Sequence, residues 1–146
     1  MRLSLALAAM LAATPVLAEE PVTRIVEDDF DNVTFAVESA IVGHGLVIDH
    51  ISHVGEMLER TRADIGSDVV LFTQADVFLF CSASVSRQAM EADPMNIQYC
   101  PYNIFVAERP DKPGQIVVGY HNYTDPSMAP VTELLAGIVD EALGPE

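Results

Sequence analysis

Two apolar runs within residues 76–108 limit the folds open to this chain. Residues 77–80 read VFLF, a run of β-branched and aromatic residues that is typical of a buried strand. Residues 102–108, YNIFVAE, have the composition of a second strand. Between them, residues 85–92 fit a short helix that ends before Pro94, because the residue before a proline is pushed out of the α region. The stretch therefore predicts a strand–helix–strand unit.

Both cysteines of the chain belong to this unit. Cys81 closes the first strand and Cys100 precedes the second, so the fold can bring them together. A structural disulfide is the first interpretation, and a bridge over roughly 20 residues would stabilise by about 3 kcal/mol. The alternatives are a redox pair, a metal site or two free thiols. A redox role requires a depressed pKa at Cys81, which the dipole of the following helix would favour. Without a C-x-x-C spacing, the pair is not of the thioredoxin type.

The same stretch resembles a known family. Cys81, the Asp93–Pro94 pair, Pro101 and Asn103 stand at the offsets found in the domain of unknown function 302 (DUF302) family, and the segments FCSA, MEADP and CPY resemble its exported branch. The resemblance covers about residues 30–123. It implies a small α+β domain, and it implies no activity.

Two departures from the family pattern concern the cysteines. Many members have Asn-Pro after the first cysteine, where this chain has Ser82-Ala83. Many also have their second cysteine directly after the proline, where this chain has Tyr102 and places Cys100 before Pro101. The polar and aromatic residues that flank the two cysteines are the candidate ligand site: Ser82, Ser84, Pro101, Tyr102 and Asn103. No catalytic residue is predicted.

The N-terminus predicts export. Residues 1–18 have one basic residue, an apolar run from Leu3 to Ala13 and small residues before a cut after Ala18, which is the pattern of a cleavable signal peptide. The apolar run is too short to span a bilayer, and we expect no membrane span after cleavage. In a bacterium the mature protein would be periplasmic, a compartment that permits disulfides.

Charge restricts the partners. Cleavage removes one of seven basic residues and none of 22 acidic ones, so 6 basic against 22 acidic residues leave a net charge of −16. Such acidity argues against nucleic acid as a partner. It is consistent with simple solubility, with a basic periplasmic partner such as a cationic cytochrome, or with a homodimer.

The remaining pattern predicts an α+β fold with the order β-α-β-α-β-α-β-β-α, built as a single mixed sheet with helices mainly on one face. Residues 19–29 form an N-terminal segment with the first strand, residues 30–123 the DUF302-like domain, and residues 124–146 a linker and C-terminal helix. Asp31 is the expected N-cap of the first helix, with Phe30 and Phe35 at staple spacing around it.

Histidines offer a further kind of chemistry. No cofactor is expected, but an exported protein with His and Met side chains could bind copper or haem iron. The candidate ligands are scattered along the chain: His44, His50, His53, His121 and Met95. The leading hypothesis is a non-enzymatic, exported module that binds a ligand or a protein. A thiol-redox or electron-transfer accessory is the first alternative, and a copper- or haem-binding protein is the second.

Overall fold

The computed structural model describes residues 19–145, so the predicted signal peptide lies outside the described residues. Its strands and helices follow the predicted order. They are β1 Val22–Glu27, α1 Phe30–Gly43, β2 Val47–Ser52, α2 Val54–Arg62, β3 Gln74–Cys81, α3 Ala83–Ala92, β4 Tyr102–Glu108, β5 Gln115–Tyr120 and α4 Ala129–Leu143, with short 3₁₀ helices at Pro94–Tyr99 and Pro126–Met128.

The five strands form one sheet in the order β1-β5-β4-β3-β2, and each neighbouring pair is antiparallel. The α+β class and the single sheet are therefore confirmed. The sheet differs from the prediction in being antiparallel throughout rather than mixed. The reason is the position of α3, which packs on α4 and does not cross the sheet. Strand β4 therefore pairs with β3 in the antiparallel direction.

Helices α1 and α4 cover one face of the sheet, which we call the inner face. Alternate residues of each strand point into this layer, as the two-residue period of a strand requires. The fully buried side chains of the layer are Val37, Ile41, Phe80, Tyr102, Ile104, Val106, Ile116, Val118, Met128, Val131, Leu135 and Ile138.

Helix α2 lies at the edge of the sheet. Strand β2 pairs only with residues 77–81 of β3, and α2 runs beside the earlier part of β3. A Cβ atom at Gly55 would lie 2.6 Å from the backbone nitrogen of Ala75, so the absence of a side chain permits this approach. We call the opposite face of the sheet the outer face. Helices α1 and α4 do not cover the central strands on this face. Helices mainly on one face are confirmed.

Two local predictions at α1 are wrong. The helix begins at Phe30 with Asp29 in the cap position, so Asp31 lies in the first turn rather than at the cap. Phe30 is buried while Phe35 is 71% exposed, so the two rings do not form the expected staple. The Asp28 side chain accepts from both the Asp29 N–H and the Asn32 amide, and this local network sets the helix start earlier.

Candidate functional site

The two cysteines lie side by side where β3 ends and β4 begins. Cys81 is the last residue of β3, opposite Val47 of β2. Cys100 follows the 3₁₀ helix Pro94–Tyr99, and its peptide bond to Pro101 is cis. The Cys100 side chain interacts directly with the Cys81 thiol, and both residues are half-buried free thiols. The fold thus brings together the pair that the sequence singled out, while the disulfide itself stays a prediction.

The surroundings of Cys81 oppose ionisation. Burial, the adjacent Cys100 and the Asp49 carboxylate together raise the pKa of the Cys81 thiol to about 12. The predicted helix does follow, since Ser82 caps α3 by accepting the Val85 N–H at 3.4 Å. Desolvation and negative neighbours nevertheless outweigh the dipole. The pKa of Cys81 is thus raised rather than depressed, which speaks against a redox role and leaves that alternative a prediction.

Three residues of the predicted ligand site contribute to the local packing, and their role in ligand binding stays a prediction. Ser82 is buried as the α3 cap, and the Ser84 hydroxyl lies 3.4 Å from that of Ser82. Tyr102 is completely buried on the inner face, and its hydroxyl makes no well-formed hydrogen bond within residues 19–145. Burial raises the pKa of Tyr102, which therefore stays a neutral phenol. The Ser86 hydroxyl interacts with Tyr102 and partly offsets this rise, and its Oγ lies 4.0 Å from the Cys100 Sγ.

The other two predicted residues line an open cleft, which we call the aromatic cleft. Its volume is about 360 Å³, and its walls combine rings, prolines and amides from four parts of the chain: Pro21, Gln98, Tyr99, Pro101, Asn103, Phe105, His121 and Tyr123. Pro101 and Asn103 come directly after Cys100. The cleft is thus joined to the cysteine pair through the segment that carries Tyr99, Cys100 and Pro101.

Three rings hold one another in place in this cleft. Tyr99 stacks on His121 with 6.0 Å between ring centroids, and Tyr123 meets both rings edge-on at 5.1 Å and 4.6 Å. Such offset and edge-to-face contacts are the favourable arrangements of aromatic rings. Burial raises the pKa of Tyr123 to about 12, so its hydroxyl remains protonated. Among residues 19–145, the walls contain no Asp, Glu, Lys or Arg, and His121 lies 3.9 Å from the Glu19 carboxylate at the rim.

A second opening, which we call the acidic cleft, lies near the N-terminus of α1 and beside α2. Its volume is about 600 Å³, and its walls include Phe30, Asp31, His53, Glu56, Glu59, Phe72 and Asp76. His53 Nδ1 and Asp76 Oδ1 are 2.8 Å apart. The hydrogen bond that His53 donates to the Asp76 carboxylate, together with the charge of that carboxylate, raises the pKa of His53. Glu59 is paired with Arg62 at 2.9 Å, so two of the four carboxylates have partners within the domain.

The candidate metal ligands do not converge. His44 pairs with Glu141, His53 lies in the acidic cleft and His121 in the aromatic cleft, while His50 is exposed on β2. Met95 is exposed on the 3₁₀ helix. Within residues 19–145 no group of three or more His, Cys, Asp or Glu side chains could hold a metal ion. In the same part of the chain, every helix is too short or too polar to cross a bilayer.

Sequence reasoning missed the ring residues of the aromatic cleft. Tyr99, His121 and Tyr123 lie outside any periodic pattern, in the 3₁₀ helix and just after β5. One signal was available, since all four tyrosines of the chain lie between residues 99 and 123. That clustering could have pointed to a tyrosine-lined site near Cys100.

Comparisons with known proteins agree with the fold. The family model described as "Domain of unknown function DUF302" matches residues 22–143, a wider range than the predicted 30–123, because it takes in β1 and α4. The crystal structure of an uncharacterized conserved DUF302 protein from Bacillus stearothermophilus aligns with a TM-score of 0.67 at 16% identity, over 84% of this chain and 97% of that one. At this identity the likeness concerns the fold alone. No curated protein matches the chain.

Proposed function

This chain belongs to the DUF302 family, and on that premise we propose that it is an exported binding domain that takes a neutral, ring-bearing small molecule in the aromatic cleft. The observation that carries the proposal is the preformed Tyr99–His121–Tyr123 cluster in a wall without acidic or basic residues other than one histidine. Ligand pockets of about 300–1,000 Å³ typically combine apolar and aromatic walls with a few orienting polar groups.

The side chains of the cleft suit such a ligand chemically. Tyrosine and histidine faces stack on a flat or ring-shaped molecule, while the amides of Gln98 and Asn103 offer both donors and acceptors for its polar substituents. A charged ligand in the cleft would find no Lys, Arg, Asp or Glu side chain of opposite charge in the described wall. This lining favours a neutral ligand, with the Glu19 carboxylate confined to the rim, 3.9 Å from His121.

The cysteine pair supports the cleft rather than the chemistry in this proposal. In the exported protein the Cys81 and Cys100 thiols would form a disulfide, giving two electrons and two protons to a disulfide oxidant of that compartment. The bridge would pin Cys100, whose two neighbours Tyr99 and Pro101 both line the cleft. A pinned wall lowers the entropy lost on binding, which is how preorganisation raises affinity.

A thiol-redox accessory is the second candidate, because two adjacent thiols are also what a dithiol–disulfide couple needs. Against it stands the pKa of Cys81, raised to about 12, which leaves little thiolate for attack at neutral pH. Resistance of the oxidised pair to mild reductant in the folded protein would support the structural role. Rapid reduction under those conditions would support the redox role.

The proposal is tested by calorimetric titration of the mature, oxidised protein. Indole and methyl β-glucoside serve as neutral ring probes, and putrescine serves as a cationic probe. We expect a neutral probe to bind and Tyr99→Ala to weaken it by about tenfold or more, since an aromatic contact contributes about 0.5–1.5 kcal/mol beyond its buried area. Phe72→Ala, which alters the acidic cleft, is the matched control and should leave that affinity unchanged. Binding of putrescine alone, or equal binding by the Tyr99 variant, would contradict the proposal.

A further inference from the structure

The outer face of the sheet presents apolar side chains to solvent. Ile25 of β1 is 59% exposed and Val47 of β2 is 75% exposed. Between these edge strands, Val77, Leu79, Phe105 and Val117 are only half-buried, although each belongs to a central strand. The cross-strand pairs Ile25–Val117 and Val77–Phe105 place these side chains next to one another across the face. They form a contiguous apolar surface rather than scattered exposed residues.

The distribution of charge on this face is uneven. The outward positions of the three central strands hold no Asp, Glu, Lys or Arg in the described chain: Gln115, Val117, Gly119, Asn103, Phe105, Ala107, Ala75, Val77, Leu79 and Cys81. Charged side chains are confined to the edge strands, at Glu27 on β1 and Asp49 on β2. The chain as a whole has 22 acidic and seven basic residues.

From these observations we propose that the outer face binds a second copy of this chain, giving a face-to-face sandwich of two sheets. The charge distribution favours a second copy of the chain over other partners. Two strongly acidic molecules repel each other over most of their surfaces, and the uncharged centre of the outer face is where they can meet without opposing carboxylates. A basic partner would gain nothing from a neutral surface, since its attraction is toward the acidic surfaces elsewhere.

The size of the face is sufficient for such a dimer. Five strands spaced about 4.8 Å apart and about 20 Å long present roughly 500 Å² per copy, so two copies would bury about 1,000 Å². Specific interfaces bury at least about 1,000 Å² in total. Stacked sheets pack about 10 Å apart through interdigitating side chains, which the Val, Leu, Ile and Phe residues of this face supply. The symmetric pairing uses the same patch on both copies.

Glycine 119 contributes to the shape of this surface. The Phe105 ring lies over Gly119, where a Cβ atom would be 2.5 Å from the ring. The ring therefore occupies the space that a side chain at residue 119 would need. Because Asn103 and Phe105 belong to both the outer face and the aromatic cleft, a second copy would stand beside that cleft.

Sedimentation equilibrium of the mature protein over a range of micromolar concentrations tests the proposal. We expect a mass of two chains for the unmodified sequence. Val117→Glu should raise the dimer dissociation constant by more than about tenfold, because an unpaired carboxylate would be buried in an apolar interface. Ile25→Glu is a second variant at an exposed edge position where folding is not at risk, and it should act in the same direction.

Phe35→Glu is the matched control, since Phe35 is equally exposed but lies on α1, away from the sheet. It should leave the dimer intact. Thermal unfolding by circular dichroism identifies any variant that fails to fold. A single-chain mass for the unmodified protein across the whole range would overturn the proposal, as would dimers that persist in Ile25→Glu. Equal dissociation by Phe35→Glu would overturn it as well, by placing the interface on the helical side.

Discussion

The aromatic cleft and the acidic cleft belong to the same small domain, yet their side chains are satisfied in different ways. In the aromatic cleft, Tyr99, His121 and Tyr123 support one another through ring contacts, and the amides of Gln98 and Asn103 lie in the same wall. In the acidic cleft, the His53–Asp76 and Glu59–Arg62 pairs already satisfy much of the polar lining. The acidic cleft is therefore not the better candidate site for a neutral ligand, although it is larger. The uncharged lining and the preformed ring cluster favour the aromatic cleft.

The two clefts also differ in what holds their walls. The segment that lines the aromatic cleft contains Cys100, which lies against Cys81. The acidic cleft is bounded by α2, which meets β3 through the approach of Gly55 to the Ala75 backbone and the His53–Asp76 pair, without a cysteine. A covalent bridge would thus stiffen one cleft and leave the other unaffected. The following experiments test this difference between the two clefts, in order of decreasing expected effect.

Removing the bridge should have the largest effect. In protein isolated from the exported compartment, Cys81→Ala should lower the free energy of unfolding by about 3 kcal/mol, because a cross-link over roughly 20 residues no longer restricts the unfolded chain. Chemical denaturation measures the change. Reductant should lower the stability of the unmodified protein similarly and leave the variant unaffected. Ready alkylation of both cysteines before reduction would show that no bridge forms.

Methyl groups at two glycines should disturb one cleft each. A Cβ atom at Gly119 would lie 2.7 Å from the Val22 carbonyl oxygen and against the Phe105 ring, and one at Gly55 would lie 2.6 Å from the Ala75 nitrogen. Each substitution by Ala should cost about 1–3 kcal/mol through overpacking. Denaturation measures that cost. Gly119→Ala should lower the affinity of a neutral probe for the aromatic cleft, whereas Gly55→Ala should leave that affinity unchanged. An equal loss of affinity in both variants would contradict the difference between the two clefts.

Removing the Tyr102 hydroxyl beneath the cysteine pair should have a smaller effect, of opposite sign. Tyr102→Phe deletes a completely buried hydroxyl that makes no well-formed hydrogen bond within residues 19–145, and a buried polar group costs about 1–3 kcal/mol when left unsatisfied. We expect the variant to be more stable by about 1 kcal/mol, as measured by urea denaturation. Tyr99→Phe, on the cleft wall, should not gain stability in this way. Destabilisation of Tyr102→Phe would show that its hydroxyl has a partner.

The acidic cleft yields the smallest expected effect, a change in titration. The pKa of His53 is raised above its usual 6.5, first by the hydrogen bond that its ring donates to Asp76. Its contribution to stability is therefore full below the unfolded pKa and is lost as pH rises through the folded pKa. Asp76→Asn should lower the pKa of His53 in an NMR titration and remove that pH dependence. The Glu59 carboxylate pairs with Arg62, so Glu59→Gln should leave the pKa of His53 unchanged. If Glu59→Gln shifted that pKa as much as Asp76→Asn, the rise would come from the overall negative charge of the cleft and not from Asp76.

The sequence predicted the elements better than the sites. Runs such as VFLF at 77–80 and the Asp93–Pro94 break are local signals, and β3 and the end of α3 follow them. Strand direction was missed because it depends on where α3 packs, which is a tertiary property. The adjacency of Cys81 and Cys100 followed from the strand–helix–strand unit.

The lining of the candidate site was less accessible to sequence reasoning. Pro101 and Asn103 were found because they adjoin a cysteine, whereas Tyr99 and His121 meet only through the fold. The sign of the Cys81 pKa shift was also beyond a local argument. The helix start after Cys81 is visible in the sequence, but burial and the Asp49 carboxylate from another strand determine the outcome.

The most direct test of the account is an NMR map of probe binding on the mature, oxidised protein, with aromatic and amide signals followed as indole is added. The account predicts shifts for Tyr99, His121 and Tyr123 and for the Asn103 amide, with Phe30 and Phe72 unmoved. Shifts centred on Phe30, Phe72 and His53, or no shifts at either cleft with indole or methyl β-glucoside, would contradict the central claim that the uncharged aromatic cleft is the binding site.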